Sequence, residues 1–346
     1  MREDSAVKNA PYPPSWLNNL TSWVKRLPIP VWFFYAILLI VWELIAFLLA
    51  WATGDLLWGE FDFPTFFYNS SGVAWLVFHY YLEGEIRDAL HDSKPLLNVS
   101  SGGFSKLEYE FATLPARPFL VLSVISLGIT AIFGVWITGF DRLSFLILLQ
   151  ISLNVIDSIF MFGFFYRLIR LLRMISKLYA SPITINLFDL APVYGLSALG
   201  AKGGLLILVF IYSNLFVSPE PITDPLYSPY LVGTAIFSVL PLAAFFFPLR
   251  GINRRLVKEK RRLMSEVARR LEIVLDKMKH TIESGDLKNI GDLETALRAV
   301  RSEKDLVEKI PTWPWRPATL RVFLSSVFLP IFLWLIQQIF ERFLDF

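Results

Sequence analysis

Seven stretches of this chain are apolar enough and long enough to cross a lipid bilayer, and this restricts the fold more than any motif does. They cover about 30–53, 64–82, 118–140, 144–168, 202–218, 229–249 and 320–342. Each is near the roughly 20 residues that a helix needs to traverse about 30 Å of hydrocarbon. The expected fold is therefore all-α, a polytopic membrane protein of seven transmembrane helices. Composition agrees, since 55% of the residues are hydrophobic and mean hydropathy is +0.52. Asn69, Ser70 and Ser71 interrupt the second stretch and make it the weakest span.

Basic residues set the expected orientation. With the amino terminus in the cytoplasm, all of the 33 Lys and Arg lie inside except Arg142 and Arg342. The short outer loops then carry Asp55, Glu60, Asp62, Asp141, Glu220 and Asp224, as the excess of inward positive charge requires. Seven spans put the carboxyl terminus outside. The expected location is the plasma or cytoplasmic membrane, with the lipid bilayer as the first partner.

Two helices outrun the membrane. From 144 to 179 a helical pattern persists through Arg167, Arg170, Arg173 and Lys177, about 54 Å at 1.5 Å per residue. After 249 the apolar residues Leu263, Val267, Leu271, Val274, Met278 and Ile282 recur in steps of three or four. Ser284, Gly285 and Asp286 stop that helix. A second apolar stripe runs from Ile290 through Leu297 and Val307 to Ile310, where Pro311 ends it.

The expected organisation is a cytoplasmic amino-terminal segment at 1–29 and a six-helix transmembrane domain at 30–249 with cytoplasmic loops 83–117 and 169–201. A cytoplasmic helical-hairpin anchor at 250–317 and a last transmembrane helix at 318–346 follow. The apolar run "SPITINLFDLAPVYGLS" is expected to pack on the hairpin or its neighbours. "GLSALGAKGG" lacks the Gly-Lys-Ser/Thr ending of a phosphate loop and is taken as a flexible entry to the fifth span.

Polar residues inside the spans are the functional candidates. In the fourth span Gln150, Asn154 and Asp157 share a face, and Glu43 lies at similar depth in the first. Ionisable groups there demand a partner, a proton, a cation or an amine ligand. In the third span Ser126, Thr130, Gly134 and Thr138 recur every four residues, a small-residue stripe for close helix packing. On the last span Ser326, Pro330, Leu333, Gln337 and Glu341 share one side, running from a hydroxyl through an apolar constriction to an amide and a carboxylate. That is the pattern of a pore-lining helix that favours cations. Arg250, Arg254, Arg255, Lys258, Arg261 and Arg262 form a run suited to the anionic inner leaflet.

The chain has no cysteine, and His79, His91 and His280 lie far apart, so no metal site, disulfide or thiolate chemistry is expected. No nucleophile–base pair or nucleotide motif appears, so no enzyme, no cofactor and no nucleic-acid partner is expected.

The architecture resembles that of the insect odorant and gustatory receptors and their wider superfamily of seven-transmembrane ion channels. Shared features are the inner amino terminus, seven spans, outer carboxyl terminus, long cytoplasmic extensions and a split last helix, here 290–310 and 318–343 joined by "PTWPWRP". The resemblance is one of topology: of the family's carboxyl-terminal signature only Gln338, Ile339 and Phe340 form a partial echo, without its Thr-Tyr. It implies a chemoreceptor-like homotetramer held by the anchor, a cation pore lined by the last helix and a small-molecule ligand among the outer spans. Two other functions fit the residues: a proton- or sodium-coupled secondary transporter using Glu43 and Asp157, and a signalling or scaffold protein with a cytoplasmic helical platform.

Overall fold

The computed structural model describes residues 10–97, 99–140, 143–181, 186–217, 249–285 and 290–314, together with 241, 243, 246, 318, 320–326 and 328. Regular structure among these residues is helical, apart from one isolated bridge between Pro14 and Pro115. We number the helices α1 (Trp16–Lys25), α2 (Val31–Thr53), α3 (Phe63–Asn69), α4 (Ser71–Asp92), α5 (Ser101–Ala112), α6 (Ala116–Thr138), α7 (Phe145–Ala180), α8 (Ala191–Val217), α9 (Leu249–Ser284) and α10 (Ile290–Lys309). Four of them, α2, α6, α7 and α8, are long and apolar enough to cross a bilayer, which is compatible with a membrane-embedded protein.

Local chemistry sets the ends of these helices. Pro30 and Pro115 precede α2 and α6, where a missing N–H and a fixed φ are harmless. Ser144 caps α7 by accepting from the Ile147 N–H at 3.3 Å. Gly54 closes α2 in the left-handed region at φ 82°, where its N–H reaches the Ala50 carbonyl.

The second apolar stretch is not one continuous helix. Its polar interruption breaks the helix at Ser70, where the Ser70 hydroxyl donates to the Phe67 carbonyl at 2.8 Å, and α4 then runs on without a break to Asp92. α4 is the hub of the fold. Trp75, Leu82, Ile86 and Leu90 are buried, and α7 and α8 cover its sides. Packing on α7 and α8 lets it carry Glu83 near Arg167 and Glu85 paired with Lys202, while Arg87 lies on its exposed side.

The small-residue stripe of α6 faces α7. Ser126 and Thr130 both hydrogen-bond Ser158, at 2.9 and 2.8 Å, and Gly134 lies against Ile151. Apart from Phe119 and Ser123, which are also buried, much of the remaining surface of α6 is exposed, as suits a helix facing lipid.

The fifth span begins earlier than expected. "GLSALGAKGG" is not a flexible entry but part of α8, and its glycines permit close approach. A Cβ at Gly203 would lie 2.5 Å from Leu168, and one at Gly204 would lie 3.1 Å from the Pro241 backbone. Leu187, Leu190, Val193 and Leu196, from the apolar run before it, join the main core.

The segment before the first span is equally ordered. Ser15 N–H donates to the Leu114 carbonyl at 2.9 Å, Ala116 N–H to Pro13 at 3.1 Å, and Asn18 Oδ1 accepts from the Leu114 N–H at 2.9 Å. α1 thereby lies across the start of α6, with Leu17 and Thr21 inward and Trp16 and Trp23 exposed.

The expected hairpin is formed by α9 and α10, which pack along each other. It is tied down by basic side chains on helix ends. Arg255 donates to the Ala180 and Ser181 carbonyls at the end of α7, at 2.6 and 2.7 Å. Lys260 donates to Glu308 and Ile310 carbonyls at the end of α10, at 2.7 and 2.8 Å. Cations placed on unsatisfied helix-terminal carbonyls also oppose the negative end of the helix dipole.

Candidate functional site

Asp157 lies in a narrow polar crevice where α2, α3, α4 and α7 meet. Its walls are Trp42, Tyr68, Asn69, Ser71, Leu153 and Asn154. The break between α3 and α4 supplies the polar side: Ser71, the first residue of α4, donates its hydroxyl to Asp157 Oδ1 at 2.9 Å. Trp42 closes the crevice, with its indole N–H on the Asn69 carbonyl at 2.8 Å. Gly72 makes this fit possible, because a Cβ there would lie 3.1 Å from the Trp42 ring and 3.5 Å from Asp157 Oδ1.

On the other side of Trp42 and Gly72 is an apolar cavity of about 180 Å³, lined by Leu20 and Val24 of α1, Phe34 and Leu38 of α2, and Ile156 and Phe160 of α7, among others. It exceeds the roughly 150 Å³ of an apolar cavity known to stay dry and bind benzene.

The other intramembrane candidates are dispersed. Asn154 joins Asp157 in the crevice, but the Gln150 amide instead donates to Asp55 Oδ2 at 3.0 Å. Glu43, next to Trp42 in the chain, is buried without lining the crevice, and neither of its carboxylate oxygens has a hydrogen-bond partner among the described residues.

Of the basic run, Arg250, Arg254, Lys258 and Arg261 are exposed. Arg255 is committed to the α7 terminus, and Arg262 pairs with Glu259 and Glu266 at 2.5 and 2.6 Å. Ser326 donates to its own helix at the Val322 carbonyl. Pro330, Leu333, Gln337 and Glu341 lie outside the described residues, as does most of the 229–249 stretch.

A second polar centre was not anticipated. Ser71, Trp75, His79, Glu83 and Arg87 are spaced by four along α4 and so form one stripe. At its inner end, just past the second apolar stretch, Glu83 is 3% exposed and accepts from Lys25 at 2.8 Å and Arg87 at 3.4 Å, while Thr21 donates at 3.4 Å. Burial pushes the Glu83 carboxyl up, but Arg167, Lys25 and Arg87 outweigh it and hold the group below the usual carboxylate range. Arg167 of α7 is itself 2% exposed and donates to the Ala112 carbonyl at 3.3 Å.

Next along α7, Arg170 donates to Thr113 at 2.8 Å and to the Tyr12 hydroxyl at 2.5 Å. Three segments distant in sequence, at Tyr12, Glu83 and Ala112–Thr113, thus converge on two arginines of the α7 extension. The four-residue spacing on α4 was the available sequence signal.

The chain is thus an all-helical protein of membrane type, with a buried ionic centre and a separate acid crevice. No protein-family model, curated protein or solved structure matches it.

Proposed function

We propose that this protein is one subunit of an oligomeric, cation-permeable channel of the insect-receptor type. It has seven spans, an inner amino terminus and an outer carboxyl terminus, and four copies place residues 318–346 around a central path.

The observation that supports this most is the exposure of the described residues between 318 and 328, at the start of the last stretch. Among its described residues Phe323 alone is buried, whereas Arg321, Val322, Leu324, Ser325 and Phe328 are exposed. Exposed apolar residues such as Val322, Leu324 and Phe328 suit contact with other copies around a pore. Asn253 donating to the Thr312 carbonyl at 3.1 Å ties the connection before that helix to α9. Movement among α1 to α8 would reach the last helix through the Arg255 contact with the end of α7. The apolar cavity beside Trp42 is where a small ligand would wedge α1 away from α7. A transporter coupling Glu43 to Asp157 is less well supported, because Glu43 does not line the crevice.

Single-particle imaging of the full-length protein in nanodiscs, followed by planar-bilayer recording, tests the proposal. A closed ring with Gln337 and Glu341 facing its axis is expected, with cation currents whose unitary conductance falls in Gln337→Leu and Glu341→Ala. A monomer, or currents unchanged in both variants at normal expression, would overturn it.

A further inference from the structure

We propose that the crevice around Asp157 binds a single sodium ion. The crevice is a site by its chemistry as well as its shape. Its polar walls are Asp157, Ser71, Asn154 and Asn69, each of which carries a side-chain oxygen. Oxygen donors of this kind suit hard cations. The Ser71 hydroxyl donates its hydrogen bond to Asp157 Oδ1, so its oxygen lone pairs remain available. No Lys or Arg lines the crevice, and that one hydrogen bond is the only one Asp157 makes among the described residues. A carboxylate so placed within a span needs a countercharge.

Size and charge select the ion. The space is about 10 Å³, near the threshold for a single water-sized particle. An organic ammonium does not fit. Calcium takes six to eight oxygens, commonly several carboxylates, and magnesium retains several waters, whereas this crevice has one carboxylate and no room for a hydration shell.

Glu43 marks the contrast. It is buried without any hydrogen-bond partner among the described residues and lines no oxygen-rich crevice. Two intramembrane acids thus differ by surroundings, and of the two only Asp157 has oxygen-bearing side chains around it. The sequence signal is the polar triplet Asn69-Ser70-Ser71 that breaks the helix opposite Asp157.

The test uses full-length protein in nanodiscs and is independent of conductance. Radioactive sodium binding is measured by scintillation proximity, and thermal unfolding is followed in NaCl against choline chloride at equal ionic strength. Saturable binding near one ion per chain is expected, with an unfolding midpoint that rises with sodium and not with choline. Asp157→Asn should abolish both effects, and Asn154→Ala should weaken affinity about tenfold. If Asp157→Asn does not fold, the wild-type titration and Asn154→Ala decide alone. Equal stabilisation by choline, binding that survives both substitutions, or a midpoint that follows pH and ignores sodium would overturn the assignment; the last would mean that Asp157 holds a proton.

Discussion

Replacing Glu83 by glutamine removes one negative charge from the place where Lys25, Arg87 and Arg167 meet, and it preserves shape. Lys25 and Arg87 are partly exposed and can turn to water, since their side chains are 35% and 46% accessible. Arg167 cannot, at 2%. The loss is therefore dominated by one buried guanidinium whose charge Glu83 balances without a direct ion pair, so its ceiling is the about 3–5 kcal/mol of a broken buried pair. The exposed pairs add about 0–1 kcal/mol. Equilibrium unfolding in mixed micelles, followed by far-ultraviolet circular dichroism, measures the difference. A double variant, Glu83→Gln with Arg167→Met, should recover much of the stability, because it removes both buried charges.

The same carboxylate predicts an acid limb. Its folded pKa lies below the ordinary 4.5, so its contribution is complete above that value and is lost as pH falls through the folded pKa. Glu83→Gln should flatten stability below about pH 4.5. A single variant within about 0.5 kcal/mol of wild type, or a double variant no better than the single, would refute the reasoning.

Gly163→Ala should destabilise by about 1–3 kcal/mol by overpacking, because the new Cβ would lie 2.8 Å from the Phe119 ring and 3.4 Å from His79; the same unfolding assay reads this. Arg255→Ala leaves the Ala180 and Ser181 carbonyls at the α7 terminus without their cation, a loss of about 1.5–3 kcal/mol. Hydrogen exchange should then quicken in 249–285 while α4 remains protected, and uniform exchange across both would contradict the role of Arg255 in tying the hairpin to α7. Conductance changes in Gln337→Leu and Glu341→Ala test the pore, and sodium binding in Asp157→Asn tests the crevice.

What the sequence determined by itself was local. Length and hydropathy marked α2, α6, α7 and α8, because a helix in lipid must satisfy its own backbone and cover its length with apolar side chains. The three- and four-residue steps marked the hairpin, and the small residues of α6 marked a packing face, because each signal lies within one helix.

The tertiary structure decided what depends on neighbours. α4 could not be recognised as the hub, since its Glu83 and Glu85 find their cations on α7 and α8, at Arg167 and Lys202. The order of residues 12–25 rests on contacts such as those of the Tyr12 hydroxyl with the Glu110 and Thr113 carbonyls, about a hundred positions away. Gln150 and Asp157 share a helical face, yet a loop residue, Asp55, takes the first and the broken helix at Ser70 takes the second. Periodicity tells which way a side chain points within its helix, but only packing tells what it meets.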